Sequence, residues 1–339
     1  MTGKERFFNL VQGRPFDRRP FGALLSLYGA KLTGCPLSRY YNDPEEYARG
    51  QDAVRQAIEP DFLPGPFLLA GFGEAFGGTL RYSDHDAPNL RRPAISSAGE
   101  ISRLTIPDID THPRILYYRE SIRRISAAHG RDAVIIGIIL NPLDLPTVIM
   151  GLDAWLRTIL IDEDGARRVL DITGPFFVRL CRALLADGAD AIAMPMSFFT
   201  RDVATRSLVE EFAMPVLRQF LPQVKGPVIF HHTGSSIQEY IDLLDTLPNV
   251  LGYTMDVDDS LPEARERIRK EAVLFAGLDG PNLHLLSPDA VRKRSLERLA
   301  RMRDDGRYVL FATGTDVDLR TPPECLTAMR AAVDEAKNG

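Results

Sequence analysis

Val228-Ile229-Phe230-His231-His232-Thr233-Gly234 is a short apolar run that follows Pro227 and ends on two histidines and a glycine. It is near the minimum length of a buried strand, and the glycine lets the backbone turn sharply where the strand stops. The same unit repeats on either side. Upstream, residues 191–194 read as a strand and 206–221 as a helix. Downstream come a helix over 237–247, a strand over 250–255, a helix over 262–269, a strand over 273–276, a helix over 288–302, a strand over 308–312 and a closing helix over 322–337. Strands alternating with helices through short connections are the pattern of a parallel sheet.

The first half of the chain carries the same pattern less regularly. Phe7, Phe8, Leu10 and Val11 suit a short amphipathic helix over 4–12, followed by the turn-forming Gly13-Arg14-Pro15-Phe16-Asp17. A strand over 21–27 ends at Tyr28-Gly29. Asp43-Pro44-Glu45-Glu46 then supplies an N-cap, a proline at the first helical position and early acidic residues for a helix running to about Ile58. Residues 61–64 are a short strand, 65–78 a glycine-rich aromatic loop over a site, and 79–113 an excursion rich in turn residues. A helix over 115–129 stops at Gly130, and 133–140 is an isoleucine-rich strand buried on both faces. Asn141-Pro142 breaks it, helical segments continue to 161, and 162–185 is one long helix or two short ones interrupted at Gly174-Pro175. Eight strands alternating with helices, in a chain somewhat longer than the ~250 residues typical of the class, predict a (β/α)8 barrel with an N-terminal helical extension, a single domain over 1–339. A doubly wound open sheet is the alternative, but no G-x-G-x-x-G or Walker turn follows any strand.

Composition narrows the class of function. The chain has 339 residues, of which 45% are hydrophobic and 26% charged, enough for a large core. Its 41 basic and 46 acidic residues give a net charge of −5, with no basic stripe interleaved with aromatics to track nucleic acid. No apolar run approaches the roughly 18 residues of a membrane span, and the first residues lack a signal-peptide core, so a cytoplasmic location is expected. Cys35, Cys181 and Cys325 are odd in number and far apart, which suits neither a disulfide framework nor a cysteine-rich zinc site.

In a barrel, the residues just past each strand converge on one face, where chemistry collects. They include Ser26 and Tyr28, Asp61, Asn141, the Met194, Met196, Phe198 and Phe199 cluster, His231 and His232, Asp256 and Asp258, Asp279, and Thr313, Thr315, Asp316 and Asp318. The set has imidazole and carboxylate but little cationic character, whereas a polycarboxylate substrate calls for arginine or lysine. His231 and His232 can bind a metal or move a proton; a strand-end histidine is also commonly a hydrogen-bonded structural residue. Asp256 is the nearer ligand candidate because it lies first past its strand, while Asp258 or Asp259 caps the helix that follows. The methionine and phenylalanine cluster either packs the barrel top or walls an apolar pocket.

These residues and their order resemble the uroporphyrinogen decarboxylase superfamily over nearly the whole chain. Gly13-Arg14-Pro15-Phe16-Asp17-Arg18-Arg19-Pro20 resembles its G-R-x-x-D-R-x-P opening, and Glu74-Ala75-Phe76-Gly77 its E-A-f/l-G segment. Asn141-Pro142 to Gly151 is similar to its G-P-f-t…G turn, and Asp187-Gly188-Ala189-Asp190 to its x-G-A-D lead into a strand. Phe230-His231-His232-Thr233-Gly234 resembles h-H-x-C-G. Gly277-Leu278-Asp279-Gly280-Pro281 resembles G-N-v-D-P, and Gly314-Thr315-Asp316 with Thr321-Pro322-Pro323-Glu324 the G-C/H-x…t-P-x-E ending. The decarboxylase's own arginine-rich motif, aspartate, tyrosine and C-terminal histidine have no counterparts here, so the resemblance points to the corrinoid-linked methyltransferase branch.

That branch implies zinc held by a His-x-Cys pair and a C-terminal cysteine; of these only His231 is present, with Thr233 and Thr315 at the cysteine positions. A harder nitrogen and oxygen set remains open, drawn from His231, His232, Asp256, Asp316, Glu210 and Glu211. Glu210 lies 21 positions before His231, and Glu211 the same before His232, which resembles half of the two-glutamate and histidine zinc motif of acetogen O-demethylase methyltransferases. The resemblance therefore implies a methyltransferase moving a methyl group between a small substrate, of methoxy-aromatic or methylamine type, and a corrinoid (cobalamin-type) cofactor on a separate protein, with zinc assisting. In it His231, His232, Asp256 and Asp316 are catalytic, and Tyr28, Asn141, Met194, Met196, Phe198, Phe199 and Thr315 bind substrate. The alternatives are a metal-free decarboxylase or other lyase, and a non-catalytic ligand-binding barrel.

Overall fold

A computed structural model describes residues 1–336, and eight of its strands form the expected ring. The described residues form ten strands: β1 (Phe21–Ala23), β2 (Phe62–Pro64), β3 (Thr79–Arg81), β4 (Asn89–Arg92), β5 (Val134–Ile138), β6 (Ala191–Pro195), β7 (Val228–His231), β8 (Val250–Thr254), β9 (Val273–Asp279) and β10 (Tyr308–Thr313). The order β1-β10-β9-β8-β7-β6-β5-β2 is parallel throughout, with Phe21 opposite Leu310. Between β1 and β2 the ring is completed by a backbone hydrogen bond from Asp61 N to Phe21 O of 2.9 Å. The chain is thus an α/β barrel, and among the described residues no helix is long and apolar enough to cross a membrane.

Alternation along the strands divides the core into two layers. Phe62, Ile136, Ile138, Ala193, Ile229 and Phe275 fill the lumen, while Ile135, Ile192, Met194, Phe230 and Tyr253 pack against the surrounding helices. Strands apolar on both faces are what a sheet covered by helices requires.

The N-terminal helix, Gly3–Gln12, starts on a capping box between Thr2 and Glu5 and closes the floor of the barrel. Phe7 reaches into the lumen edge-on to Phe62, with ring centres 4.9 Å apart. Arg6 and Arg18 both pair with Asp61, at 2.6 and 2.7 Å, and Asp61 also accepts a hydrogen bond from Phe21 N. Asp61 precedes β2 rather than following it. This corrects its expected place at the functional face: it belongs to the floor.

Other expected elements are sharpened: a helix, Ala70–Ala75, lies within the loop expected over 65–78, and the strand expected over 21–27 is Phe21–Ala23. Residues 79–113 contain the antiparallel hairpin β3–β4 and a 3-10 turn at Ala98–Arg103. Of the two alternatives for 162–185 the single helix is found: Glu163–Ala186 continues through Pro175, and Gly174 is needed for close packing, since a Cβ there would strike the Phe220 ring. The helix expected over 206–221 opens into a π turn at Val209–Ala213 before continuing at Met214–Phe220. The closing helix is Pro323–Ala336, and Lys337 lies outside the described residues.

Candidate active site

His231 ends β7 and continues the inward alternation of Ile229, so its ring enters the upper lumen. It faces a cavity of about 40 Å³ bounded by Ala23, Pro64, Phe67, Pro195 and Thr254, with no lysine or arginine among the lining residues. His231 is only 5% exposed, and neither ring nitrogen has a hydrogen-bond partner. Burial, with the adjacent His232 ring, pushes its pKa down to about 3, so the imidazole is neutral at physiological pH. Phe67 lies 6.0 Å away on one side, and the His232 ring stacks at 5.6 Å on the other.

His232 is held differently. Its Nε2 accepts a 3.0 Å hydrogen bond from the backbone N–H of Gly314, in the loop after β10. A neutral imidazole with an accepting Nε2 carries its proton on Nδ1, and that atom lies 3.2 Å from Asp256 Oδ2, close but not aligned for a full hydrogen bond. The His232 backbone N–H donates to Thr254 Oγ1 at 3.1 Å. Interaction with His232 holds the Asp256 carboxyl below the usual range, helped by backbone N–H groups of Asp258 and Val257. Asp259 accepts from Asp256 N at 2.8 Å and from Ser236, which holds the β8 loop with the Asp256 carboxylate beside His232.

In the loop after β10, outside the lining of the lumen cavity, Asp316 Oδ1 accepts from Leu27 N at 2.9 Å, whereas Oδ2 is enclosed without a partner. Burial pushes this carboxyl up to about 8. Asp144, in the turn after β5, is pushed up to about 7 by burial, against hydrogen bonds from Asn141 and from the Ser197 and Phe198 backbone. Both groups therefore favour the protonated form in the folded chain. Their stabilising contribution is present below pH ~4 and lost as pH rises through about 7 and 8, at up to about 1.4 kcal/mol per pH unit per group. Melting curves at pH 5 to 9 should show Asp316→Asn losing less stability than the unaltered chain over that interval. Parallel curves would remove Asp316 from this account.

The other expected site residues separate into groups. Tyr28 is fully buried and donates to Thr321 O at 2.6 Å. Asn141 is saturated: its Nδ2 donates to Asp144 and Pro195 O, and its Oδ1 accepts from Leu143 N. Met194, Met196, Phe198 and Phe199 belong to the outer packing layer and do not line the lumen cavity. Thr315 is exposed. Glu210 and Glu211 are corrected outright: they are exposed on the π turn, where Glu210 pairs with Arg206 and Glu211 with Ser207. Sequence reading did not single out Phe67, Thr254 or Asp144. The signals were local, since Thr254 ends its strand and Asp144 shares the turn opened by Asn141.

A zinc site does not fit the side chains at hand. Among the described residues no three or more His, Cys, Asp or Glu groups gather to hold a metal. Thr233 is engaged with Ser197 at 2.9 Å, and the His232 Nε2 lone pair is occupied by Gly314.

Comparison with known proteins follows this geometry. The uroporphyrinogen decarboxylase (URO-D) family matches residues 2–336. A methylcobamide:CoM methyltransferase MtbA of Methanosarcina mazei is 23% identical over 264 residues, 76% of this chain and 77% of that protein. A methylcobamide:CoM methyltransferase MtaA of Methanosarcina barkeri is 23% identical over 341 aligned positions, covering 98% of both. A solved methyltransferase from Methanosarcina mazei superposes with a TM-score of 0.87 over 99% of each chain, at 20% identity.

Proposed function

Because the chain belongs to the uroporphyrinogen decarboxylase family, we propose that it transfers a methyl group between a small substrate and a corrinoid carried on a separate protein in the cytoplasm. The relatives named above are methylcobamide:CoM methyltransferases matched over most of their length, which supports corrinoid-linked transfer. The observation that carries the reading is His231: a neutral imidazole with both nitrogens unpartnered, facing a small apolar cavity. Leaving two buried nitrogens unsatisfied costs stability, so a group that completes them on binding is expected.

The corrinoid supplies or receives the methyl as a cation equivalent. For a thiol acceptor, the sulfur must present a lone pair to the methyl and release its proton. A His231 nitrogen accepts a hydrogen bond from that S–H, aims the sulfur, and takes up the proton as the S–C bond forms, releasing it to solvent when the product leaves. The apolar wall of Phe67, Pro64 and Pro195 excludes water from the nucleophile. Since His231 stays neutral well below pH 5, the rate is expected to show no titration of His231 between pH 5 and 8.

Methylcobalamin, standing in for the protein-borne corrinoid, with coenzyme M as acceptor provides the test. Loss of the methyl–cobalt absorbance, matched by methylated thiol in mass spectra, is expected at a rate proportional to enzyme. Carbon dioxide release from carboxylated substrates, without transfer to any thiol or amine tried, would replace this reading with a lyase.

A further inference from the structure

Two loops meet over the lumen, one leaving β7 at His232-Thr233-Gly234 and one leaving β10 at Gly314-Thr315-Asp316. These are the positions where the resemblance implied zinc-binding cysteines. Here the positions hold Thr233, bonded to Ser197, and the exposed Thr315. The two loops are tied by a hydrogen bond between residues 82 positions apart: the backbone N–H of Gly314 donates to Nε2 of His232, which is 1% exposed. Gly314 sits at φ 98°, a left-handed conformation that a residue with a Cβ adopts only under strain. Asp256 beside Nδ1 and Thr254 under the backbone N–H complete the hold on the ring. The same ring stacks on His231, at 5.6 Å and 10° between planes, and so fixes the face that His231 turns to the cavity.

We propose that His232 is a positioning residue that locks the β7 and β10 loops by this hydrogen bond, and that the site works without a resident metal, His231 alone meeting the substrate. The inference rests on the methyl-transfer reading, but two of its tests do not depend on turnover.

Protein made in zinc-supplemented medium and purified without chelator should hold well below one zinc per chain, and its melting temperature should not change on dialysis against a strong chelator. One zinc per chain, whose removal lowers the melting temperature, overturns the proposal. Nitrogen-15 spectra of histidine-labelled protein should show His232 with an unprotonated Nε2 and a protonated Nδ1; the opposite tautomer overturns it as well. In the methylcobalamin assay, His232→Leu should lower kcat by about 100-fold, the order expected when a reacting group is displaced by about an ångström. His232→Gln, whose side-chain oxygen can accept from Gly314, should recover most of that loss with little change in KM. A fully active leucine variant would reduce His232 to packing. If the unaltered protein transfers no methyl group, the functional reading fails, while zinc content and tautomer still decide this one.

Discussion

Replacing His231 with leucine should lower methyl transfer by about 10²–10⁴-fold while leaving the fold as stable as before or more so. The two halves of this expectation come from one observation. Both ring nitrogens are buried with no partner in the protein, and an unsatisfied buried polar group costs about 1–3 kcal/mol. Leucine fills similar space, faces the same apolar wall of Phe67, Ile229 and Pro195, and carries no such cost. A residue kept only for structure behaves in the opposite way, since its loss destabilises the chain and spares the rate. Opposed changes in rate and stability are the signature of a group retained for function. The check is urea denaturation beside the methylcobalamin assay. A leucine variant within a few-fold of the normal rate would end the case for His231 as the substrate-facing group.

The second large effect lies at the other end of the barrel. Asp61→Ala should cost about 3–5 kcal/mol or more, a large part of the 5–15 kcal/mol that holds a typical domain together. The carboxylate pairs with Arg6 and Arg18, themselves 5% and 7% exposed, and accepts the N–H of Phe21. Its removal strands two buried guanidinium groups; Arg6 retains Asp17, whereas the remaining acidic partner of Arg18 is the exposed Asp334 at 3.4 Å. Asp61→Asn, which keeps acceptors but not the charge, should fall between. The exposed pair Arg167–Glu163 is the control, worth at most about 0.5 kcal/mol. A urea midpoint for Asp61→Ala no lower than that of Glu163→Ala would show that the floor network contributes nothing.

The barrel was legible in the sequence because each strand is a short apolar run bounded by turn residues, a signal that survives without tertiary information. The site was legible in part. Adjacent histidines before a glycine marked the C-terminal end of β7, but which of the two enters the lumen was settled only by the structure, where His231 follows Ile229 inward. Met194, expected either to bind substrate or to pack, belongs to the outer layer. Other features lay beyond local pattern. Asp61 looks like any strand-flanking acid, and only Arg6, 55 positions away, and Arg18 show that it faces the floor. Pro175 left one long helix or two short ones open, because propensity carries no knowledge of the packing that holds Glu163–Ala186 together. The different fates of His231 and His232 depend on Gly314, which no spacing rule connects to either.

The pairing of β1 with β10 also bears on how the chain is made. Phe21 lies opposite Leu310, so the first strand waits for the last before the ring can shut. During synthesis β1 and β9 both present bare edges, each able to pair with another chain. Maturation should therefore complete only after nearly the whole polypeptide has left the ribosome, and truncated products should be prone to aggregate rather than accumulate as half-barrels.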